Sequence, residues 1–544
     1  MSAATAISTG TTPRAREPRT RSRRLVVWSV LGLTLIGLCL RVWGAAWGLP
    51  GGLHPDEWAI VETAVDMAAQ NTFDPDLYLR PNHLEAKASL VGFQIYAHAI
   101  AGVPVEVAFA ESRDPFLVIS RLVIAIFGAA MVVLSYAILA PTSRRAGLIA
   151  AALVAVNPFY VEHSHYATPD VPLTAMVMVG MLGLSRYLSS EGRLLPLLIA
   201  CAGTGAAITS KYPGALFTVV IAIAVLAIAV RRRSVATFLR HGLIAIAGTA
   251  LAVFLASPGL VLNADRVVAA LQQESRDTHD GADGLGALGN ALFYGEVFAG
   301  SAGILVAGFA VLGVGFAIRR RLIVAIPMGA GLVFWIALSA LSLHWDRWAA
   351  PMIITGLLFA GLGAHAALTW GARASRRGAL GAVVLAIAVG FTASAAQSAA
   401  EVARFSTTDT RLDSRDELSR LGVTRSNSLY EGYTPFLPNA PLGLFSSFTT
   451  VGDRIAPVDE SKRFVVLSEL QYGRYEGDAR HREQREFYAA LREQYPLVAS
   501  FAPSIELTGR SPFEWVQIDR ATRSIVAAAH GGSTGPLVEV LRIP

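Results

Sequence analysis

Charge is scarce in this sequence: Asp, Glu, Lys and Arg make up 16% of its 544 residues, against 53% hydrophobic. Soluble domains carry about a quarter charged residues, so an ordinary water-soluble globule is excluded for most of the chain. Cysteine is almost absent. Cys39 and Cys201 both lie inside apolar runs and read as small core residues, so no disulfide is expected. There is no P-loop, no H-E-x-x-H and no G-x-S-x-G, which leaves ATP-driven transport and zinc proteolysis without support. The G-x-G-x-x-G match at Gly284–Gly289 follows no strand and opens no βαβ unit, so it is set aside. The net charge of +6 does not point to nucleic acid, because the arginines fall in short clusters between apolar runs.

What is abundant is the long apolar run. Candidate spans cover roughly 25–47, 115–140, 146–161, 171–188, 194–210, 213–230, 238–260, 291–318, 322–341, 348–369 and 379–398, each close to the length that crosses a hydrocarbon core as helix. The sequence therefore predicts a polytopic α-helical membrane protein of about eleven transmembrane helices, surrounded by membrane lipids. Residues 1–24 form a basic tail. The run after it is too long for a signal peptide, contains Arg41 and lacks a convincing cleavage site, so it is expected to stay as the first span.

Sidedness follows from parity. If the short apolar segment 88–104, which carries Gln94 and His98, does not span, five arginine clusters fall on one side: Arg144/Arg145, Arg186/Arg193, Arg231–Arg233, Arg319–Arg321 and Arg373/Arg376/Arg377. The positive-inside rule makes that side cytoplasmic. Segment 88–104 is then interfacial or re-entrant, the N-terminus is cytoplasmic, and residues 400–544 form an extracytoplasmic α/β domain. Within the transmembrane domain 25–399, the outer face holds a long first loop 48–114, a short loop 162–170 and a loop 261–290. In the soluble tail, 464–470 reads as a buried strand, 479–494 as a charged helix and 537–543 as a terminal strand.

The first outer loop carries His54-Pro55-Asp56-Glu57-Trp58. Proline and acids in a first helical turn are ordinary helix-start chemistry, yet the acids lie where a lipid-borne substrate is presented. The second outer loop runs from Asn157-Pro158 through Glu162, His163 and His165 to Asp170. Asp170 has a bland reading as a helix cap, and these four side chains also have the chemistry to ligate a metal. Three cations, Lys87, Lys211 beside Tyr212, and Arg347, sit at outer ends of apolar segments. Snorkelling to headgroups accounts for each alone; three on the Asp56 side favour an anionic ligand such as a phosphate.

Asp56-Glu57 after the first span, Asn157-Pro158 to Asp170, Ser210-Lys211-Tyr212, Arg347 ahead of Pro351, Asp409-Thr410-Arg411 and the closing Gly535–Val540 stretch together resemble the GT-C membrane glycosyltransferases. The similarity is to the bacterial protein O-mannosyltransferase-like branch, which includes the aminoarabinose transferases. The resemblance implies a multi-pass enzyme of a bacterial plasma membrane with a polyprenyl-phosphate sugar as donor. It further implies Asp56 as the catalytic base with Glu57 beside it, and matches Lys87 and Asp170 to the family's lysine and second acidic position. Lys87, Lys211 and Arg347 are the expected phosphate ligands, with His54, His165, Asp170 and Tyr212 in support. No cofactor is required by this reading; a divalent metal stays open. The 261–290 loop is too short to hold the large inserted domain of eukaryotic protein mannosyltransferases, which puts a protein acceptor in doubt. A transporter or flippase for a lipid-linked or anionic substrate is the rival class, but it calls for midplane charges, whereas the charges here cluster at one face. A non-catalytic membrane scaffold is the third alternative.

Overall fold

The computed structural model describes residues 18–275, 285–374, 377–436, 444–451, 454–476, 479–505 and 511–544. Arg14 and Arg16 of the basic tail, the middle of the 261–290 loop with Gly284, and Arg376 lie outside the described residues.

The apolar runs do form helices, because a backbone in hydrocarbon must satisfy its own N–H and C=O groups. Among the described residues, seven of them are long and apolar enough to cross a membrane: Arg24–Val42, Asp114–Leu139, Asp170–Ser189, Tyr212–Arg231, Val235–Ala256, Asp346–Arg373 and Gly378–Phe405. Two bent pairs raise the number to nine if each is one span, and Leu194–Ser210 and Ala325–Ser339 are shorter apolar helices. The protein is a multi-pass membrane protein. Asp170–Ser189 is its central helix, 78% buried, whereas the first span, 17% buried, turns Leu25, Trp28, Leu31 and Leu35 outward as a lipid-facing helix should.

Two expected spans are broken, each for a local reason. The stretch 146–161 is two helices, Arg144–Ala155 and Pro158–His163. Asn157 caps the second, its side-chain oxygen accepting from the Tyr160 N–H, and Pro158 has no N–H to continue the first. The carbonyls left at the end of the first helix are taken by Arg41, whose guanidinium donates to Val154 and Ala155, both at 2.9 Å. The stretch 291–318 is likewise two helices, Gly286–Ala302 and Ile304–Arg319, meeting at 114°. Gly303 between them has φ +83°, a conformation glycine adopts without strain. Segment 88–104 falls within a third break, where His83–Ala101 meets Val105–Glu111 at 75°.

The C-terminal region carries a four-stranded sheet of order β1 (Ser428–Tyr430), β4 (Phe464–Ser468), β6 (Val538–Arg542) and β5 (Leu497–Phe501), with β1 parallel to β4 and the other pairs antiparallel. A separate hairpin pairs β2 (Phe448–Val451) with β3 (Arg454–Pro457). The expected strands at 464–470 and 537–543 and the expected helix at 479–494 correspond to β4, β6 and Arg482–Gln494. The region also carries a helix that periodicity did not single out, Glu514–Ala529. It docks on the break at Gly303: Ile304 N–H donates to the Pro512 carbonyl and Leu305 N–H to the Glu514 carboxylate, both at 2.7 Å. The bend in the membrane part is therefore capped by the C-terminal part.

Candidate active site

The first helix ends at Val42, a run of turns follows, and the Glu57–Ala69 helix begins immediately after Asp56. Asp56 stands at the N-cap position but makes no capping bond, so helix-start chemistry does not account for its carboxylate. Instead Arg347 Nη1 donates to Asp56 Oδ2 at 2.6 Å and Arg80 Nη1 to Oδ1 at 3.4 Å. Arg80 is shared, its Nε donating to Glu274 Oε1 at 3.2 Å. Burial alone pushes a carboxyl up, but the Arg347 guanidinium, with His54 and Arg80 adding to it, holds Asp56 well below the usual carboxylate range. Burial pushes the neighbouring His54 down, with Asp56 and Glu57 opposing.

A second ion pair sits beside the first. Lys211, in the break between Leu194–Ser210 and the next helix, donates to Asp170 Oδ1 at 2.7 Å. Its ammonium lies 6.0 Å from the centroid of the Trp348 ring. Asp170, Lys211, Phe334, Arg347, Trp348 and Pro351 line one cleft, and Arg347 acts on Lys211 electrostatically. Within this cleft Arg347 Nε and Asp170 Oδ2 are buried without a hydrogen-bond partner, which is costly unless a ligand group meets them.

Among the described residues no three His, Cys, Asp or Glu side chains gather as a metal cage. The four side chains considered as metal ligands do not converge: Glu162 pairs with Arg404, Asp170 with Lys211, the His163 ring packs 4.2 Å from that of Phe159, and the two ring nitrogens of His165 go to the Val161 and Trp43 carbonyls.

Residues 33–270 match the family model of dolichyl-phosphate-mannose-protein mannosyltransferases. ArnT from Cupriavidus metallidurans in the apo state superposes with a TM-score of 0.52 and 15% identity, over 88% of this chain and 96% of that one. The chain has the GT-C glycosyltransferase fold. The same ArnT bound to undecaprenyl phosphate gives 0.48 with 16% identity, over 74% and 73%. The oligosaccharyltransferase AglB from Archaeoglobus fulgidus, in complex with an inhibitory peptide and a dolichol-phosphate, gives 0.46 with 13% identity, over 91% and 75%. No curated protein matches the sequence.

Within this GT-C fold the expected residues divide. Asp56, His54, Asp170, Lys211 and Arg347 lie together. Lys87 does not join them: its ammonium donates to the Ala256 carbonyl, and Asp74 is the charged group acting on it. Arg80, which sequence reasoning missed, stands beside Asp56 in its place. His165 is stacked flat on Phe405 at 4.1 Å, and the Tyr212 hydroxyl donates to the Tyr78 carbonyl at 2.6 Å; one is a packing contact and the other a hydrogen bond to the backbone of the first loop. Glu57, next to Asp56 in sequence, has a different set of partners. It is fully buried and bidentate with Arg121, at 2.7 and 2.8 Å, and accepts a third bond from the Ala167 N–H at 2.9 Å. Arg121 also donates to the Ala45 and Trp47 carbonyls at 2.8 and 2.6 Å. The pair knits both ends of the Asp56 loop to the helices. Arg121 was visible as a lone charge inside an apolar run, the usual mark of a paired intramembrane residue.

Breaking a buried pair by removing one partner strands the other charge and costs about 3–5 kcal/mol. Glu57→Ala and Arg121→Ala are each expected to lower the yield and melting temperature of detergent-purified protein sharply, whereas Asp56→Asn, at a partly exposed pair, lowers them much less. Equal stability of all three variants contradicts this division of labour.

Proposed function

We propose that this protein is an inverting glycosyltransferase that moves a sugar from a polyprenyl-phosphate donor to an acceptor hydroxyl or amine at the extracytoplasmic face of the membrane. The observation that carries the reading is the Asp56 carboxylate, held by Arg347 and Arg80 beside the Lys211–Trp348 cleft. The family model matched by residues 33–270, which describes transfer from a lipid-phosphate mannose, supports it.

A sugar on a lipid monophosphate departs with a stable phosphate ester as leaving group. That group needs no proton, only cations to receive its charge, and Arg347, Arg80 and Lys211 supply them. The acceptor oxygen or nitrogen attacks the anomeric carbon as the bond to phosphate breaks, and its proton passes to Asp56. One displacement inverts the anomeric centre.

In the free protein Asp56 is a poor base, because Arg347 stabilises its charge. The donor phosphate competes for the same guanidinium. As Arg347 turns to the phosphate, Asp56 loses its strongest partner and its proton affinity rises toward that of an ordinary carboxylate. The donor thereby switches on the base that its own transfer needs.

Asp56→Asn is expected to abolish transfer while donor binding persists. In the wild type, kcat/KM reports the free protein and kcat the bound complex. The charge of Asp56 is lost only as pH falls through its low folded value, so kcat/KM stays flat through the ordinary carboxylate range, about pH 4–5. The kcat profile falls earlier, with its midpoint at about pH 4–5. Coincident acid limbs in the two profiles rule out the switch. Arg347→Gln and Lys211→Gln each remove a charge-assisted bond worth roughly 1.5–3 kcal/mol, a loss of about tenfold to a hundredfold in donor use; wild-type kinetics in both variants place the phosphate elsewhere.

The arginine clusters at the opposite helix ends carry the assignment of sides. A reporter active only outside the cytoplasm is expected to work when fused after Pro544 and to stay silent after Arg232. The reverse pattern inverts the topology.

A further inference from the structure

The segment that leaves the last span reaches back to the base of the Asp56 loop. Arg411 and Asp409 are 3% and 1% exposed. The Asp409 carboxylate takes Arg411 Nε at 2.7 Å and Nη2 at 2.8 Å, which aims the remaining nitrogen: Nη1 donates to the Leu53 carbonyl at 3.1 Å. The guanidinium also lies 5.9 Å from the Trp47 ring centroid. Arg415 adds a bond to the Pro50 carbonyl at 3.3 Å. Leu53 precedes Asp56 by three residues, so this fork acts on the loop that carries the reacting carboxylate.

The fork is itself held by the end of the chain. Thr410 N–H donates to the Thr534 carbonyl at 2.7 Å, Thr534 N–H to the Thr408 carbonyl at 2.9 Å, and the Thr410 hydroxyl to the Pro536 carbonyl at 2.7 Å. Gly535 sits between them at φ +109°, where a Cβ would come within 2.5 Å of Thr410 Oγ1 and 2.6 Å of Asp409 Oδ1. A bonded path therefore runs from Thr534–Pro536, just ahead of β6, through Asp409 and Arg411 to Leu53.

We infer that Arg411 is a positioning residue for Asp56, and that the C-terminal domain sets the catalytic geometry through it. This rests on Asp56 being the reacting carboxylate. Arg121 and Ala167 hold Glu57, and Arg121 also holds the Ala45 and Trp47 carbonyls; Arg411 holds Leu53, on the stretch between those two anchors. Asp56 must meet Arg347 on one side and the acceptor on the other, and a displacement of about 1 Å in such a group costs on the order of a hundredfold in rate. Arg411 touches neither the cleft nor Asp56, so its loss acts on the rate of the bound complex rather than on donor affinity.

The test uses the full-length purified protein with Arg411→Gln, Arg411→Lys and Gly535→Ala. Arg411→Gln is expected to lower kcat by about tenfold to a hundredfold with donor KM changed by less than about threefold. Lysine keeps the charge but cannot form the fork, so Arg411→Lys recovers only part of the loss. Gly535→Ala, which never touches the loop, moves kcat in the same direction. Hydrogen exchange gives an arm independent of activity: peptides covering 44–56 exchange faster in Arg411→Gln, while those covering Asp170–Ser189 do not change. Unchanged kcat and unchanged exchange overturn the inference, as does a kcat loss that only tracks the folded fraction. If Arg411→Gln is not recovered folded, Gly535→Ala decides on the same two readouts. If the wild type itself transfers no sugar, the glycosyltransferase reading fails, and the exchange arm still decides whether Arg411 orders the loop.

Discussion

The buried pair of Glu57 with Arg121 is the contact on which the rest of this site depends. Ion pairs in apolar surroundings are costly to form and more costly to break, so this one is kept only where its geometry is complete. Here it is: two bonds between guanidinium and carboxylate, a third from the Ala167 amide, and two from Arg121 to the Ala45 and Trp47 carbonyls. Every hydrogen bond ties the first loop to a helix or to the Asn157–Asp170 segment. The carboxylate one residue earlier is thereby carried on a short stretch anchored on both flanks, which is what a reacting group needs if it is to meet a partner within a few tenths of an ångström.

Adjacent acids, Asp56 and Glu57, thus do opposite work. Glu57 is spent on structure, its charge neutralised and out of reach. Asp56 is half-buried and is shared between two guanidinium groups, one of them that of Arg347 in the cleft lining. Lys211 and Asp170 repeat the pattern a short way off. A cleft whose arginine keeps a buried nitrogen without a partner suits an anion that exchanges for a carboxylate, while the unpartnered Asp170 oxygen calls for a hydrogen-bond donor on the same ligand. It suits a neutral or cationic ligand poorly, because neither would draw Arg347 from Asp56.

Much of this was legible in the sequence, and what was not has physical causes. The spans followed from apolar runs because a membrane leaves few alternatives to helix. Asp56, Asp170, Lys211 and Arg347 were found because polar groups at the ends of apolar runs are conspicuous. Lys87 met the same criterion, yet it satisfies itself on the Ala256 carbonyl; position at a helix end does not say which way a flexible chain turns. Arg80 lies in a loop between Leu79 and Pro81 with no periodicity to mark it. The break at Gly303 was invisible because its cap comes from Glu514, in another part of the chain. Asn157-Pro158, by contrast, is a helix start that local chemistry announces, and reading the stretch 146–161 as one span overrode it.

The central claim is that the donor phosphate and Asp56 compete for Arg347. The most direct measurement is a structure of the protein with a polyprenyl phosphate bound. The account predicts phosphate oxygens within about 3 Å of Arg347 and Lys211, and the 2.6 Å contact between Arg347 and Asp56 opened. A phosphate bound away from Lys211, with the Arg347–Asp56 contact intact, contradicts it.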